Sequence, residues 1–576
     1  MQRNVLGVCA FIYVVAAGLN LWPSCRGGTA TVSELPPPET EGRPPGSAPE
    51  LPRVFVQLPK GTSAPVRVLV AGGDLQGAID AAKPGDVIAL EPGATFRGPF
   101  SLPNKSGSEW ITVRTKVADG AFPPPGTRVN PSHAPLMPII ESSSDSAINA
   151  ASGAHHYRFV GIEVRPRSGS FLHNLIALGT NESSVEALPH HIVFERCYVH
   201  GDPKVGARRG IALNSRYTAV VDSYLADFKE QGADSQALAG WNGLGPFAIV
   251  NNYLEAAGEN VIFGGADPTV KNLVPSDIKI RRNHFAKPLA WRIGNPSYAG
   301  TAWTIKNLFE LKNARRVLVE GNVFEYNWLQ AQNGFAILFT PRNQDGAAPW
   351  SMVQDVTFTN NIVRHTGSAI NVSGRDDNHS SQQTKRILIR DNVFEDVDGA
   401  KWGGAGRLFQ LLSGTADVVI DHNTAFHTGD VIDADGAAHT GFVYENNLTP
   451  NNQYGVGGTG TFGNPRLTLA TYFPHALFGR NVLQGGNPAS YPPDNFFPLT
   501  MASVLFADLA GGNYRLLPSS PYKNAGTDRK DIGADIAAIE AAVAADGRLL
   551  RTQRRPSPLV SPPHPSPARS RPSPGL

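Results

Sequence analysis

Short runs in which apolar and polar residues alternate recur along the middle of the chain, and each ends in the same way. In RVLVEGNVFE, residues 316–325, an alternating apolar run meets Gly-Asn and then resumes with Val-Phe. Alternation with a period of two predicts β-strands that bury one face. The same stretches lack helical periodicity. The pattern therefore predicts a β protein built from short strands and tight bends.

The same phrase recurs from residue 191 to residue 450. Its bend residues are Cys197, Ser223, Asn252, Asn283, Asn322, Asn361, Asn392, Asn423 and Asn447, spaced 24 to 39 residues apart. A repeat of this length made of short strands predicts a solenoid of β coils. A β-propeller has blades of similar length, but the hairpin turns that its antiparallel strands need are sparse here.

An Asn at one fixed place in each coil has a physical cause. Asn tolerates the left-handed backbone of a tight bend. When coils stack about 4.8 Å apart, each amide can also bond to the next one, which satisfies a buried polar group. The sequence thus predicts an all-β, single-domain, right-handed parallel β-helix with an Asn ladder.

The amino-terminal end of the repeat region predicts a cap. In GGDLQGAIDAAKPGDVIALEPG, residues 72–93, Leu75, Ile79 and Ala82 fall on one face of a short helix that precedes a strand. Such a helix covers the open end of a stacked core, where strand edges are otherwise unpaired. Residues 531–545, DIGADIAAIEAAVAA, predict a short closing segment at the other end.

Over about residues 70–540, this cap and repeat resemble the pectate-lyase-like superfamily of right-handed parallel β-helix proteins. The resemblance implies the fold, and it leaves the reaction open because the fold serves several functions.

The two ends of the chain differ in composition from this body. Residues 1–28 join one Arg to an apolar run and small residues, which predicts a secretory signal peptide, or an amino-terminal anchor if it is not cleaved. Residues 29–52 predict a Pro-rich linker, 53–546 the β-helix, and 547–576 a disordered tail of Pro, Ser and Arg. Export predicts a secreted, periplasmic or cell-surface protein without membrane contact after cleavage.

Charge and cysteine content narrow the partners. The chain has 51 Lys and Arg against 49 Asp and Glu, a formal net charge of +2, which gives no reason to expect nucleic acid. Three Cys provide no disulfide framework. We expect a monomer.

Candidate chemistry appears when the coils are aligned, because equivalent positions of successive coils form columns. GENVIFGGAD, GFAILFTPRN and GSAINVSGRD, which begin at residues 258, 334 and 367, align without gaps. Arg342 and Arg375 then share one column, and Arg292 is predicted nearby. Stacked arginines repel unless an anion lies between them, and their planar forks suit carboxylates or sulfates. The alternative is that a neighbouring carboxylate such as Asp376 neutralises them.

A second feature precedes the strand of residues 316–320. WTIKNLFELKNARRVLVEGN, residues 303–322, contains Glu310 and Lys312. Lys312 before the Gly-Asn bend, followed by Arg342 after the next strand, resembles the family that includes chondroitinase B and some alginate lyases. The resemblance implies Lys312 as catalytic base and Arg342 as the neutraliser of a substrate carboxylate. That family's calcium-ligating acids are reduced here to Glu310, and the Lys-to-Arg separation is longer.

The predicted base would have to be a neutral amine. We expect Arg315, Arg316 and Arg342 to surround Lys312 and to lower the pKa of its ammonium group. Lys306 and Arg315 are otherwise interpreted as solvated surface residues.

A third group of polar residues precedes and follows the bend at Asn252. Glu259 and Asp267 are predicted, with Glu310, as oxygen ligands of calcium, and Asp234 and Trp241 as substrate-binding residues with Arg292 and Arg375. The alternatives are the paired carboxylates of a glycosidase or ordinary turn chemistry. Trp residues between the coils favour a carbohydrate groove, because Trp stacks on flat apolar faces.

Two histidine doublets, His155-His156 and His190-His191, begin 35 residues apart. This separation predicts repeat-equivalent positions rather than a metal-binding pair.

The sequence therefore predicts an exported enzyme that cleaves an acidic, uronate-containing polysaccharide by β-elimination, with calcium as a possible cofactor. One alternative is a glycoside hydrolase that uses Asp234, Glu259 or Asp267. The other is a carbohydrate-binding or adhesion protein without catalytic activity.

Overall fold

A computed structural model describes residues 35, 48–59 and 66–544 of the chain. The predicted signal peptide and carboxyl-terminal tail lie outside the described residues, as does most of the predicted linker. Within the described ranges, no helix is long and apolar enough to cross a membrane.

Three long parallel sheets make up the body, and successive coils add one strand to each sheet in turn. The sheets contain 14, 13 and 12 strands, and all their pairings are between a strand and its counterpart in the next coil. Parallel strands joined by crossovers take the right-handed sense. The predicted all-β, right-handed parallel β-helix is confirmed.

The strands of the 14-strand sheet are Val66–Leu69, Val87–Leu90, Ile111–Thr115, His155–Val160, His190–Glu195, Arg216–Val221, Phe247–Val250, Ser276–Arg281, Ala314–Glu320, Val353–Thr359, Lys385–Arg390, Ala416–Asp421, Val443–Glu445 and Leu477–Gly479. The strands of the 13-strand sheet are Thr95–Arg97, Ile139–Ser142, Glu163–Pro166, Tyr198–His200, Tyr224–Phe228, Tyr253–Ala256, His284–Ala286, Val323–Asn327, Ile362–Thr366, Val393–Val397, Thr424–His427, Leu448–Pro450 and Val482–Gln484. The strands of the 12-strand sheet are Phe100–Leu102, Ile148–Ala150, Asn174–Leu178, Arg209–Ala212, Gln236–Gly240, Glu259–Phe263, Phe309–Leu311, Phe335–Phe339, Ser368–Ser373, Phe409–Leu412, Ile432–Asp435 and Val456–Gly458.

Other elements are short and lie between or beyond the coils. The α-helices are Leu75–Ala81, Gly399–Trp402, Pro465–Tyr472 and Ile536–Val543, and the 3₁₀ helices are Asp119–Ala121, Pro131–Leu136, Leu289–Trp291, Pro488–Ser490 and Met501–Val504. An antiparallel pair, Phe506–Asp508 with Asn513–Leu516, follows the last coil.

The core fills the interior between the three sheets with files of identical or similar side chains. Val261, Phe309 and Ile337 stand in register on consecutive coils of the 12-strand sheet and are fully buried. Phe285 and Phe324 stack with ring centroids 4.3 Å apart. Burying one such side chain contributes about 1.5–3 kcal/mol to stability. The apolar residues that recur in every coil therefore stabilise the whole stack.

An amide ladder runs along the bend between the 14-strand and 13-strand sheets. The Asn361 side-chain oxygen accepts from the Asn322 backbone N–H at 2.9 Å and from the Asn322 amide at 3.0 Å. The same pattern links each Asn from Asn252 onward to the next, and it continues beyond the sequence prediction through Asn481 to Asn495. Ser223 and Cys197 hold the equivalent places at the amino-terminal side.

The left-handed backbone at this bend belongs to the residue before each Asn, and this corrects part of the expected cause. Gly321, Asn360 and Asp391 have φ of 66°, 56° and 53°. The ladder residues Asn322, Asn361 and Asn392 are not among the residues with positive φ. Their side-chain amides point into the bend and form the ladder hydrogen bonds. Each ladder Asn therefore serves hydrogen bonding, and the preceding residue forms the bend.

The helix Leu75–Ala81 begins after Asp74, whose side chain accepts from the Gly77 N–H. Its buried residues Leu75, Ala78 and Ile79 belong to the same core as the coils. The helix therefore covers apolar side chains at the amino-terminal end of the body.

Replacing Asn361 by Ala is expected to lower the free energy of unfolding by about 1–3 kcal/mol, because it leaves buried donors of Asn322 without an acceptor. Urea denaturation measures this change. The matched control is Asn378→Ala, at an exposed Asn outside the ladder, for which we expect a change below about 0.5 kcal/mol. Equal losses in the two variants would contradict a stabilising ladder.

Candidate functional site

The outward face of the 12-strand sheet carries a dense set of polar side chains at its middle coils. Seven of them come from strands and loops of consecutive coils and are called here the acid–lysine cluster: Asp234, Gln236, Glu259, Lys306, Asn307, Glu310 and Lys312. The coil register explains their convergence, since Gln236 pairs with Glu259 and Ile262 with Glu310. Residues far apart in sequence thus become neighbours on one surface.

Lys306 joins the two carboxylates at one side of the cluster. Its amine lies 2.5 Å from Asp234 Oδ2 and 3.5 Å from Glu259 Oε1. Glu259 is only 1% exposed and accepts from the Gln236 amide at 2.8 Å. Burial and then the charge of Asp234 raise the pKa of Glu259 to about 7. For Lys306, burial lowers the pKa, but Glu259 and Asp234 together raise it by more.

Glu310 and Lys312 form a second ion pair in the next coil. The Lys312 amine lies 2.8 Å from Glu310 Oε1, and the Asn307 amide donates to Glu310 Oε2 at 3.0 Å. The Glu310 side chain is fully buried, whereas 18% of the Lys312 side chain is exposed. Lys312 directly follows the strand Phe309–Leu311, so it reaches the surface at the edge where the chain leaves the sheet.

Arg342 lies beside Lys312 in the following coil, as predicted. Its backbone N–H donates to the Lys312 carbonyl at 2.9 Å. Its guanidinium lies 2.7 Å from Asp376 Oδ1, and the Asp376 side chain is completely buried. The alternative that Asp376 neutralises Arg342 is therefore what the structure shows, although a quarter of the Arg342 side chain stays exposed.

Arg375 occupies the position equivalent to Arg342 in the next coil, because Leu338 pairs with Asn371 in the strands before them. It is exposed, and its Nη1 donates a long hydrogen bond of 3.4 Å to the Ser381 carbonyl. The column deduced from sequence is thus present in the structure.

Buried acceptor atoms on the same face have no protein partner among the described residues. These atoms are Gln236 Oε1, Asn307 Oδ1 and Asn371 Oδ1. A buried polar atom is normally hydrogen-bonded, and the burial of these three oxygens keeps them out of direct reach of a bound saccharide.

The three predicted calcium ligands do not come together. Asp267 Oδ2 accepts from the backbone N–H groups of Asp345 and Ala347, so it anchors a loop. Glu259 and Glu310 each lie beside a lysine amine. Calcium prefers six to eight oxygen ligands, and this donor set does not fit it. The amines of Lys306 and Lys312 occupy the positions next to Glu259 and Glu310 where a calcium ion would have to bind.

Arg292 lies apart from Arg342 and Arg375, contrary to the prediction. It precedes the strand Phe309–Leu311 in the chain, whereas the other two arginines follow their strands. Its guanidinium lies 4.7 Å from the ring centroid of Trp402 and donates to the Lys401 carbonyl. It therefore lies at the opposite edge of the 12-strand sheet.

The tryptophans near Arg292 are mostly buried rather than exposed. Trp291, Trp303 and Trp328 are 4–6% exposed and pack together with Trp402. With Arg292 they border a cavity of about 360 Å³. Trp241 differs from them, since it is half-buried and its ring lies 5.2 Å from the Arg209 guanidinium.

The expected surroundings of Lys312 also differ from the sequence interpretation. Arg316 is paired with Asp277 at 2.8 Å and Arg315 donates to Ser276, both on the 14-strand sheet. Neither arginine surrounds Lys312, whose charged neighbour is Glu310. Lys306, interpreted from sequence as a solvated residue, is instead central to the cluster. Its place could have been found from the pattern Lys-Asn-x-x-Glu-x-Lys, had residues 309–311 been recognised as a strand of their own coil.

Comparison with known proteins finds no sequence family and several solved structures of low similarity. No protein-family model and no curated protein matches the chain. Solved structures that match include a family 6 alginate lyase, AlyGC, at 13% identity over 75% of this chain, with a TM-score of 0.39. This chain spans 51% of that lyase.

Two further matches have other activities in their names. A GH87 α-1,3-glucanase from Streptomyces thermodiastaticus is 14% identical over 78% of this chain and 69% of its own, with a TM-score of 0.39. Pectate lyase Pel9A is 14% identical over 82% of this chain and 96% of its own, with a TM-score of 0.31. These likenesses concern the β-helix fold alone.

The raised pKa of Glu259 gives a testable dependence of stability on pH. The folded-state pKa of about 7 lies above the usual Glu value, so folding binds a proton between about pH 4.5 and 7. The free energy of unfolding of the wild type therefore falls as pH rises from about 4.5 through 7, because the stabilisation by the bound proton is lost. We therefore expect the free energy of unfolding of Glu259→Gln, relative to wild type, to increase by on the order of 2 kcal/mol from pH 4.5 to pH 8.

Urea denaturation at several pH values measures that difference. Glu91→Gln, at an exposed surface pair with Lys116, is the matched control and should show a nearly constant difference. A pH-independent difference for Glu259→Gln would contradict the raised pKa.

Proposed function

We propose that this protein is an exported lyase that cleaves a uronate-containing polysaccharide by β-elimination on the outward face of the 12-strand sheet. The observation that carries the proposal is the placement of Lys312 and Arg342 on consecutive coils, joined through the backbone and both partly exposed.

The guanidinium groups of Arg342 and Arg375 would bind the substrate carboxylate. A uronate carries its C5 proton next to that carboxylate, and neutralising the carboxylate stabilises the enolate-like charge that develops when the proton leaves. Arg suits this task because its planar fork matches a carboxylate. Asp376 holds Arg342 in place from the buried side.

Lys312 would remove the C5 proton as a neutral amine. Its ammonium lies 2.8 Å from the fully buried Glu310 carboxylate. The proposed reaction requires this amine to be neutral when the saccharide is bound. The free amine then takes the C5 proton, the C4–C5 double bond forms, and the C4–O4 bond breaks. The leaving oxygen takes a proton from solvent.

A glycoside hydrolase is the second candidate, and Glu259 is the observation that favours it. A carboxyl group with a pKa of about 7 is protonated at mildly acidic pH, as a general acid must be. Asp234, with 43% of its side chain exposed, would be the second carboxylate. This candidate ranks lower because Glu259 is almost fully buried beneath Gln236 and Lys306.

Replacing Lys312 by Ala is expected to lower lyase activity at least about 100-fold, the usual contribution of a general base. Activity is measured as the ultraviolet absorbance of unsaturated uronate formed from alginate, pectate and chondroitin. Lys385→Ala is the matched control, a partly exposed lysine on the 14-strand sheet, and it should keep wild-type activity.

The same assay separates the candidates. A hydrolase would release reducing ends without unsaturated product. If Glu259→Gln lost this activity and Lys312→Ala kept it, the hydrolase would be the correct function and the lyase proposal would be wrong. Binding of a polysaccharide without either product would leave a carbohydrate-binding protein. Full lyase activity in Lys312→Ala would remove the proposed base.

A further inference from the structure

Four histidines lie together at the start of two neighbouring strands of the 14-strand sheet, on a different sheet from the acid–lysine cluster. His155 and His156 begin one strand, and His190 and His191 begin the strand of the next coil. His155 and His190 are in register, so the doublets occupy repeat-equivalent positions, as the sequence predicted. The other half of that prediction spoke against a metal-binding pair, and the metal site inferred below departs from it. Stacking of the coils converts two sequence doublets into a compact group of four imidazoles, called here the histidine tetrad.

The rings of the tetrad are arranged in two stacked pairs. His155 and His190 have centroids 4.7 Å apart, and His156 and His191 have centroids 4.5 Å apart with rings 5° from parallel. Within each doublet the two Nδ1 atoms are 2.8 Å and 2.7 Å apart. Two ring nitrogens at this distance share a single proton, because two lone pairs cannot face each other without a proton or a cation between them.

Three of these residues meet the distance requirement of a metal site. His156, His190 and His191 each offer a ring nitrogen, and the three atoms lie within 4.8 Å of one another. In the described part of the chain, no other group of three His, Cys, Asp or Glu side chains meets this criterion. The ligands come from two coils, so a bound ion would tie these coils together.

Neighbouring aromatic rings hold the imidazole rings of the tetrad in place. Trp110 contacts the rings of His156 and His191 edge-on, and Tyr217 stacks on His191 at 4.5 Å. A neutral imidazole has a free lone pair, which is the form that binds metals.

We infer that His156, His190 and His191 form a binding site for a transition-metal ion of the zinc class, with His155 or water as the fourth ligand. Imidazole nitrogen suits zinc, copper and nickel, whereas calcium and magnesium take oxygen ligands. Tetrahedral zinc with Zn–N bonds of about 2.0–2.1 Å places its ligand nitrogens roughly 3.4 Å apart. The Nδ1 pair of His190 and His191 therefore has to open by less than about 1 Å when an ion replaces the shared proton, which moves to the Nε2 atom of the ring that carried it. The Arg216 guanidinium beside His190 opposes a divalent cation, which favours ions that bind imidazole strongly.

The test uses the untagged full-length chain, stripped of metal with a chelator and titrated with zinc chloride by calorimetry. We expect one zinc ion per chain, with no comparable heat from calcium or magnesium. His156→Asn and His191→Asn should each weaken zinc binding at least about 10-fold. Asn is chosen because these positions have φ of 58° and 54°, which Asn tolerates.

His173→Gln is the matched control, since His173 is an exposed histidine outside the tetrad, and it should bind zinc as the wild type does. Thermal unfolding adds a second readout. Excess zinc should raise the melting temperature of the wild type and of His173→Gln but not of the His156→Asn/His191→Asn double variant. Without zinc, a melting temperature of the double variant equal to that of the wild type shows that the variant folds. Zinc binding by the double variant equal to the wild type, or no binding by the wild type, would overturn the inference.

Discussion

The in-register stacking of parallel coils is the constraint on which the rest of this structure depends. Each strand bonds to its counterpart one coil away, so a residue's neighbours are set by its place in the coil rather than by its distance in sequence. The Asn ladder enforces that register, because a shift of one residue would remove both hydrogen bonds to each buried amide and turn apolar side chains outward. The cost of slipping grows with the number of coils.

The candidate site is a direct product of that stacking. Asp234 and Lys306 are 72 residues apart in sequence and form an ion pair, and Lys312 and Arg342 meet through one backbone hydrogen bond. The sheet supplies a rigid surface, and side chains on successive coils supply different charges. Arrays of alternating acids and bases at the coil spacing suit a linear polymer, because its repeating units can be contacted by successive coils.

Charge compensation within the protein limits what the site can bind. Carboxylates that could have held calcium face Lys306 and Lys312 instead, and Asp376 compensates Arg342. Such buried pairs contribute little net stability, but breaking one leaves an uncompensated charge. Under the proposed function, a substrate carboxylate would share Arg342 with Asp376, whereas the exposed Arg375 makes a long contact to a carbonyl. The histidine tetrad lies on a different sheet and consists of stacked imidazole rings.

The sequence by itself determined the fold, the Asn ladder and the column of Arg342 and Arg375, because a period of two and a fixed bend residue repeat with every coil. It did not determine which loops lie at which edge of the sheet. As a result, Arg292 lies at the opposite edge of the 12-strand sheet and Arg316 lies on the 14-strand sheet. Lys306 lies in the middle of the acid–lysine cluster. Coil lengths vary from 24 to 39 residues, and the extra residues can enter either edge. Only the tertiary structure decided the partner of each charge, because ion pairing depends on distances of a few ångströms that a repeat period does not specify.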